Sequence, residues 1–401
     1  MNDRERFVAV ARFQQPDYVP IFGFPGAPGM SGGALKWTHQ HLIETGMPAW
    51  VGGAYEDWVC KDPESWHRYW GVTEPIHPGF GLGLGARGIQ STHRIEGEFE
   101  IIEYESGAIE RQVIDNANIY IMPEFVRYTV RDRVSWEFWR ERMTPTGIMP
   151  RQEMEERCKE LDRGPQTSRC TSGFGVPYRT RPLFVGVWGM YGFLRSQMGP
   201  EGLSLAFYDD PQLVHDMAEW VTHMTRTYVL PLIERLKPEA VYMGEDLCYN
   251  HGMLLSPKLF DEFCGAHYRM VCGCAQAAGV PVIAVDSDGN VMEFVDVATR
   301  YGLTCLYPFE VKAGNDLFAL RRKHPDFLCV GGLEKEIINE GNEHLIEPEL
   351  MKKVPPLLKQ GGYFPNGDHG IQPMATFKGL CKFMTILHEL CGNPEGEFPR
   401  T

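Results

Sequence analysis

Between Pro281 and Asn290 a β-branched apolar run, Val282-Ile283-Ala284-Val285, ends abruptly in Asp286-Ser287-Asp288-Gly289-Asn290. A short apolar run of this kind suits a buried strand, and two carboxylates, a glycine and an amide at its end are what a barrel strand presents where it reaches an active site. Two later segments repeat the pattern: Leu303-Thr304-Cys305-Leu306-Tyr307-Pro308-Phe309-Glu310, and Gly361-Gly362-Tyr363-Phe364-Pro365-Asn366-Gly367-Asp368-His369-Gly370. Polar chemistry recurring at the C-terminal ends of strands restricts the chain to α/β folds with parallel strands.

The surrounding pattern agrees. Strands are expected at 182–188, 240–243, 303–307, 327–331 and 361–365 and along the apolar run that begins the stretch 281–290, with helical patterns between them. Asp210-Pro211 supplies an N-cap and a first-turn proline for the stripe Leu213, Val214, Met217, Trp220, Val221 and Met224. Ser256-Pro257 opens another helix, with Leu259, Phe260, Phe263, Met270, Val271 and Cys274 on one face and Gly279 as its stop. Further helices are expected at 291–301, 314–323, 334–340, 347–359 and 374–390. Polar residues follow at least five different strands, which suits a barrel better than the single crevice of an open sheet.

The first 180 residues are less regular. Arg6 to Phe13 has helical spacing, a turn follows, Val19-Pro20-Ile21-Phe22 reads as a strand, and the Gly/Pro-rich stretch to Gly33 reads as a long loop at its end. Residues 34–70 carry helical patterns and a face of Trp50, Trp58, Trp66 and Trp70, expected to pack in the core. From about Ile89 to Arg127 the pattern turns to β alternation, including Ile119-Tyr120-Ile121, so a β-rich meander over 85–140 is expected as an insertion within one decorated barrel domain spanning 1–401.

With 39 basic against 53 acidic side chains the net charge is −14, and no dense Lys/Arg run occurs, which disfavours a nucleic-acid or anionic-membrane surface. No N-terminal h-region and no long uncharged apolar run is present, so a soluble cytoplasmic protein is expected. The eleven cysteines, among them Cys248, Cys264, Cys272, Cys305 and Cys329, lie mostly in apolar patterns and read as reduced core residues. Cys272-Gly273-Cys274 has no partner pair at zinc spacing. Gly81-Leu82-Gly83-Leu84-Gly85 lacks the strand-to-helix setting of a phosphate loop, and no nucleotide cofactor is expected.

If the strands converge, the mouth collects Glu245, Asp246, Asp286, Asp288, Asn290, Glu310, Lys335, Asp368 and His369. Six carboxylates around one lysine and one histidine must be paired, protonated or bound to a cation, because an unpaired buried charge costs several kcal/mol, roughly. His369 is flanked by Gly367 and Gly370, which let backbone approach a ligand. His369, Asp288, Glu245 and Asp246 are the catalytic candidates; Asn290, Lys335, Asp368 and Glu310 are the candidates for holding a small-molecule substrate. The plainer alternative is that an Asp caps the next helix and Asn290 fills a tight turn.

Taken together, Arg4-Glu5-Arg6-Phe7, Asp17-Tyr18-Val19-Pro20 and the closing Asp368-His369-Gly370-Ile371-Gln372-Pro373 make the chain resemble the uroporphyrinogen decarboxylase superfamily over roughly 1–30 and 180–390. The resemblance implies a (β/α)8 TIM barrel, and either of two activities: decarboxylation without a cofactor, or zinc-dependent methyl transfer between corrinoid proteins and thiols. The decarboxylases place two arginines after the first strand, where this chain has Gly23-Phe24-Pro25-Gly26-Ala27-Pro28-Gly29, and an aspartate near the second strand, which 71–96 lack. The methyltransferases' His-x-Cys falls on Asp286-Ser287-Asp288, so the resemblance implies a divalent metal, zinc first, on Asp286, Asp288 and His369.

A methyltransferase-like enzyme with a corrinoid protein partner is thus the first functional expectation. Decarboxylation of a porphyrinogen-like or other polycarboxylate is the second, and a ligand-binding relic without catalysis the third. A homodimer is implied by the resemblance alone.

Overall fold

A computed structural model describes residues 1–22, 36–56, 59–77, 83–86, 90–114, 123–146, 152, 155, 156, 158, 159 and 180–401. Six strands form one parallel sheet: β1 (Phe184–Trp188), β2 (Ala240–Gly244), β3 (Val282–Asp286), β4 (Cys305–Tyr307), β5 (Leu328–Leu333) and β6 (Tyr363–Gly367). Their spatial order is β6-β5-β4-β3-β2-β1, so each strand lies beside its neighbour in sequence, as repeated β/α crossovers produce. All six fall where the apolar runs predict them, within two or three residues.

Register fixes the polar ends. Gly244 lies opposite both Trp188 and Asp286, and Asp286 lies opposite Tyr307, so β1 to β4 finish level with one another. Beyond β1 the sheet continues through single parallel bridges, Ile76 to Leu183 and Phe22 to Thr73. The strand expected at 19–22 is reduced to one bridge; Pro20, and Pro75 in the segment beside it, have no N–H to give to a ladder.

The N-terminal helix Asp3–Ala11 is closed by a reciprocal capping box between Asn2 and Glu5. It lays Phe7 under the N-terminal ends of the sheet, 5.0 Å from both Phe22 and Phe364, whose own rings are 5.6 Å apart. Helix Pro211–Met224 starts as expected, with the Asp210 carboxylate accepting from the Leu213 N–H at 3.0 Å and Leu213, Val214, Met217, Val221 and Met224 buried. The helix opened by Ser256 instead divides at Cys264 into Pro257–Phe263 and Gly265–Ala277.

In the first half, helices Lys36–Glu44 and Pro63–Trp70 are separated by an unanticipated hairpin, Gly52–Glu56 with Val59–Asp62. Trp66 and Trp70 are fully buried, Trp50 is half exposed, and Trp58 lies outside the described residues. The meander is an antiparallel sheet of Ser91–Glu96, Phe99–Tyr104, Ile109–Val113 and Glu124–Arg127; the strand expected at 119–121 lies outside the described residues. A pairing between Gly83–Ala86 and Met143–Thr146 brackets it as a two-stranded neck. The described cysteines are free, with Cys264, Cys272, Cys305 and Cys329 fully buried. Among the described residues no helix is long and apolar enough to cross a membrane.

Candidate active site at the strand ends

The candidate residues occupy the C-terminal edge of the sheet in two tiers. The lower tier is buried and consumed by backbone. Glu245 is 2% exposed; its carboxylate accepts from the Met190 N–H at 2.8 Å, the Gly192 N–H at 2.6 Å and the Tyr268 hydroxyl at 2.8 Å. It therefore holds down the start of helix Met190–Met198, where Gly189 and Gly192 allow the close approach: a Cβ on Gly189 would stand 2.1 Å from the Gly244 carbonyl oxygen. Burial, against these donors, pushes its pKa up to about 7.

Asp368 is equally enclosed. Its two oxygens accept from the Lys335 N–H at 3.0 Å and the Val311 N–H at 2.7 Å, tying the loops after β4, β5 and β6 together, and burial pushes its pKa up to about 6. Asn290 follows the plainer expectation of a turn residue: its side chain donates to the Ala313 carbonyl at 2.9 Å and accepts from the Met292 N–H at 3.2 Å. Gly289 has φ +80°, and a Cβ there would meet Tyr249 backbone at 2.8 Å. Of the candidates, Glu245, Asp368 and Asn290 are thus engaged by their own framework.

The upper tier consists of three ion pairs. His369 Nε2 lies 3.4 Å from Asp288 Oδ1, Lys335 Nζ donates to Glu310 at 3.2 Å, and Arg195 donates to Asp246 at 2.6 Å. Glu310 also accepts from the Gly289 N–H at 2.8 Å. Burial pulls the His369 imidazole toward neutrality, but the Asp288 carboxylate more than reverses this, and its pKa stands above the usual value. Asp288 shows the complement: burial raises it, and His369, Lys335 and Arg195 bring it below the ordinary carboxylate range. Burial and the nearby Asp288 charge raise Asp246 despite Arg195.

Beneath these pairs, between the strands, lies a cavity of about 150 Å³. Its floor is Phe7, Phe22, Phe184 and Phe364, its walls include Ala240, Val282, Ala284 and Val330, and its upper rim is polar: His77, Tyr242, Asp286, Tyr307 and Asn366. Burial pushes the His77 pKa down to about 4, so this imidazole is neutral at neutral pH. Asn366 is 1% exposed, and neither its amide nitrogen nor its amide oxygen has a protein partner among the described residues; the buried Tyr307 hydroxyl is in the same position.

The metal set implied by resemblance divides between the two levels. Asp286 lines the cavity, while Asp288 and His369 engage one another above it, and among the described residues no group of three or more His, Cys, Asp or Glu is arranged to hold a metal ion. The residues present do not fit a zinc centre of that composition, which needs at least three protein ligands converging on one point.

The family model described as uroporphyrinogen decarboxylase (URO-D) matches residues 184–390, more than half of the chain and the whole of the six-stranded sheet with its mouth. The chain belongs to the uroporphyrinogen decarboxylase family. A solved structure of a methyltransferase from Methanosarcina mazei is similar, with TM-score 0.52 and 13% sequence identity, covering 95% of this chain and 96% of that chain; at this identity the likeness is one of fold. No curated protein sequence matches the chain. Uroporphyrinogen decarboxylase-like folds are TIM barrels, and the parallel sheet β1 to β6 is the part of that architecture carried here by ladder pairing.

Five residues of this family site were not singled out from the sequence: His77, Arg195, Tyr242, Tyr307 and Asn366. A signal existed for three of them, Tyr242 lying on the inward face it shares with Ala240. Strand alternation places Asn366 on the face of Phe364 and Asp368, and Tyr307 on the face of Cys305, so parity with the polar ends marks them as inward. His77 and Arg195 sit outside any strand pattern that could have flagged them.

Proposed function

We propose that this member of the uroporphyrinogen decarboxylase family is an enzyme whose eight parallel segments close as a (β/α)8 barrel, and that its mouth carries out methyl transfer from a small substrate to a corrinoid-bearing partner protein. The observation that carries the reading is the His369–Asp288 pair at the strand ends above a cavity of small-molecule size. The fold likeness to a methyltransferase over almost the whole of both chains supports the choice of branch.

A corrinoid bound to the partner supplies the methyl-accepting centre. The work of this chain is to seat the substrate and manage its proton. His369 Nε2 holds a proton that the Asp288 carboxylate favours. When the bond between the methyl carbon and the substrate heteroatom breaks, the electron pair stays on the heteroatom, which takes that proton. Lys335 and Arg195, each held by a carboxylate, keep positive charge at the mouth while the leaving atom is anionic. No step is assigned to a metal.

Decarboxylation is the second reading, favoured by the matched family description, with His369 protonating the carbanion left when CO2 departs. The cavity and its carboxylate rim disfavour a porphyrinogen as the substrate, because a tetrapyrrole polyanion is both larger and of like charge. The test is methyl transfer from simple methyl ethers to a free or protein-bound corrinoid, followed by the corrinoid absorption spectrum. Turnover is expected, and His369→Ala should lower kcat by about 10²–10⁴-fold, the usual worth of a positioned acid. Absence of transfer, together with porphyrinogen turnover lost in His369→Ala, would replace this reading by the second.

A further inference from the structure

The cavity has a more definite shape than a general substrate site requires. About 150 Å³ bounded by apolar side chains is the size of an engineered cavity that accepts one benzene ring. Its floor consists of phenyl rings, with Phe22 and Phe364 edge-on to each other at 5.6 Å and Phe7 stacked on Phe364 at 5.0 Å, a surface that favours the face or edge of another ring. The polar groups are confined to the opposite end. There Asn366 offers both an amide donor and an amide acceptor, and Tyr307 a hydroxyl, each buried and without a protein partner among the described residues. Leaving such groups desolvated and unpaired is unfavourable, a cost that a ligand completing their hydrogen bonds would remove.

Charge narrows the class further. Among the described residues the lining contains the Asp286 carboxylate but neither lysine nor arginine, so the described lining offers an anion a like charge and no cationic side chain. A donor group on the ligand, in contrast, is served by Asp286 and by the amide oxygen of Asn366.

We propose that the cavity binds a small, uncharged, planar ring compound carrying one O–H or N–H group, its ring on the phenylalanine floor and its donor at Asn366, Tyr307 and Asp286. The proposal rests on the reading of the strand ends as the active site and names the compounds for it: the ring compound is the demethylated product, a single-ring phenol or its nitrogen counterpart, and the substrate is its O- or N-methyl form.

Calorimetric titration of the full chain with phenol and with benzoate tests it. Phenol is expected to bind with 1:1 stoichiometry and benzoate at least tenfold more weakly. Ala284→Leu, which fills the cavity from its wall without touching the ion pairs above, should abolish phenol binding, with folding checked by the thermal transition. Asn366→Ala should weaken phenol by about five- to tenfold, the worth of one hydrogen bond. No binding of phenol, binding unchanged in a folded Ala284→Leu, or a preference for benzoate would each overturn the proposal. Because binding needs neither corrinoid nor turnover, phenol binding without methyl transfer would sustain the cavity assignment while the reaction proposed above failed. Loss of turnover in His369→Ala with phenol binding retained would sustain both.

Discussion

Carboxylates that look alike in the sequence do different work once the loops are in place. Asp288 meets an imidazole and Glu310 an ammonium, whereas Glu245 and Asp368 meet backbone N–H groups. A strand that ends in an acid is visible in the sequence because the apolar run stops there. Which donor that acid meets depends on loops arriving from elsewhere, and in Asp368 these come from residues 311 and 335. Removing the imidazole's counter-charge is a test at this scale: Asp288→Asn should reduce turnover by about 10–10²-fold, less than loss of His369 itself, as measured by kcat in the methyl-transfer assay. Gly289→Ala is expected to destabilise the fold by about 1–3 kcal/mol, because φ is +80° and Tyr249 backbone occupies the Cβ position; the urea midpoint reads it.

Among the elements, β1 to β6 were legible because β-branched runs bounded by glycine and proline have few alternatives. The hairpin over residues 52–62 and the neck at 83–86 and 143–146 were not, since short pairings are decided by distant partners and leave little period in the sequence. The contact between Glu245 and helix Met190–Met198 belongs to this scale. Its folded-state pKa, about 7, lies above the ordinary value of 4.5, so the folded protein keeps the proton across that window and the unfolded chain does not. The stability linked to Glu245 is thus fully present below about pH 4.5 and is lost as pH rises through about 7. Urea titrations from pH 4.5 to 7.5 should show Glu245→Gln with a flatter decline than the wild type. Glu245→Ala, which leaves two N–H groups and the Tyr268 hydroxyl unpaired, should cost about 3 kcal/mol.

For the molecule as a whole, the parallel order of the sheet and the location of polar chemistry at one edge were readable from alternation alone, while the meander's neck and the ring-lined floor required long-range contacts. Phe7 is 3% exposed and touches rings from three distant parts of the chain, Phe22, Phe184 and Phe364. Phe7→Ala should therefore lower stability by about 3–5 kcal/mol and enlarge the cavity downward, with phenol affinity falling alongside the thermal transition. The same contact has a temporal side. Residue 7 leaves the ribosome long before residue 364, so the base of the sheet stays open throughout most of synthesis. A nascent chain halted before β6 should accordingly expose its phenyl floor to hydrophobic dyes and chaperones, and sealing should coincide with emergence of the last strand.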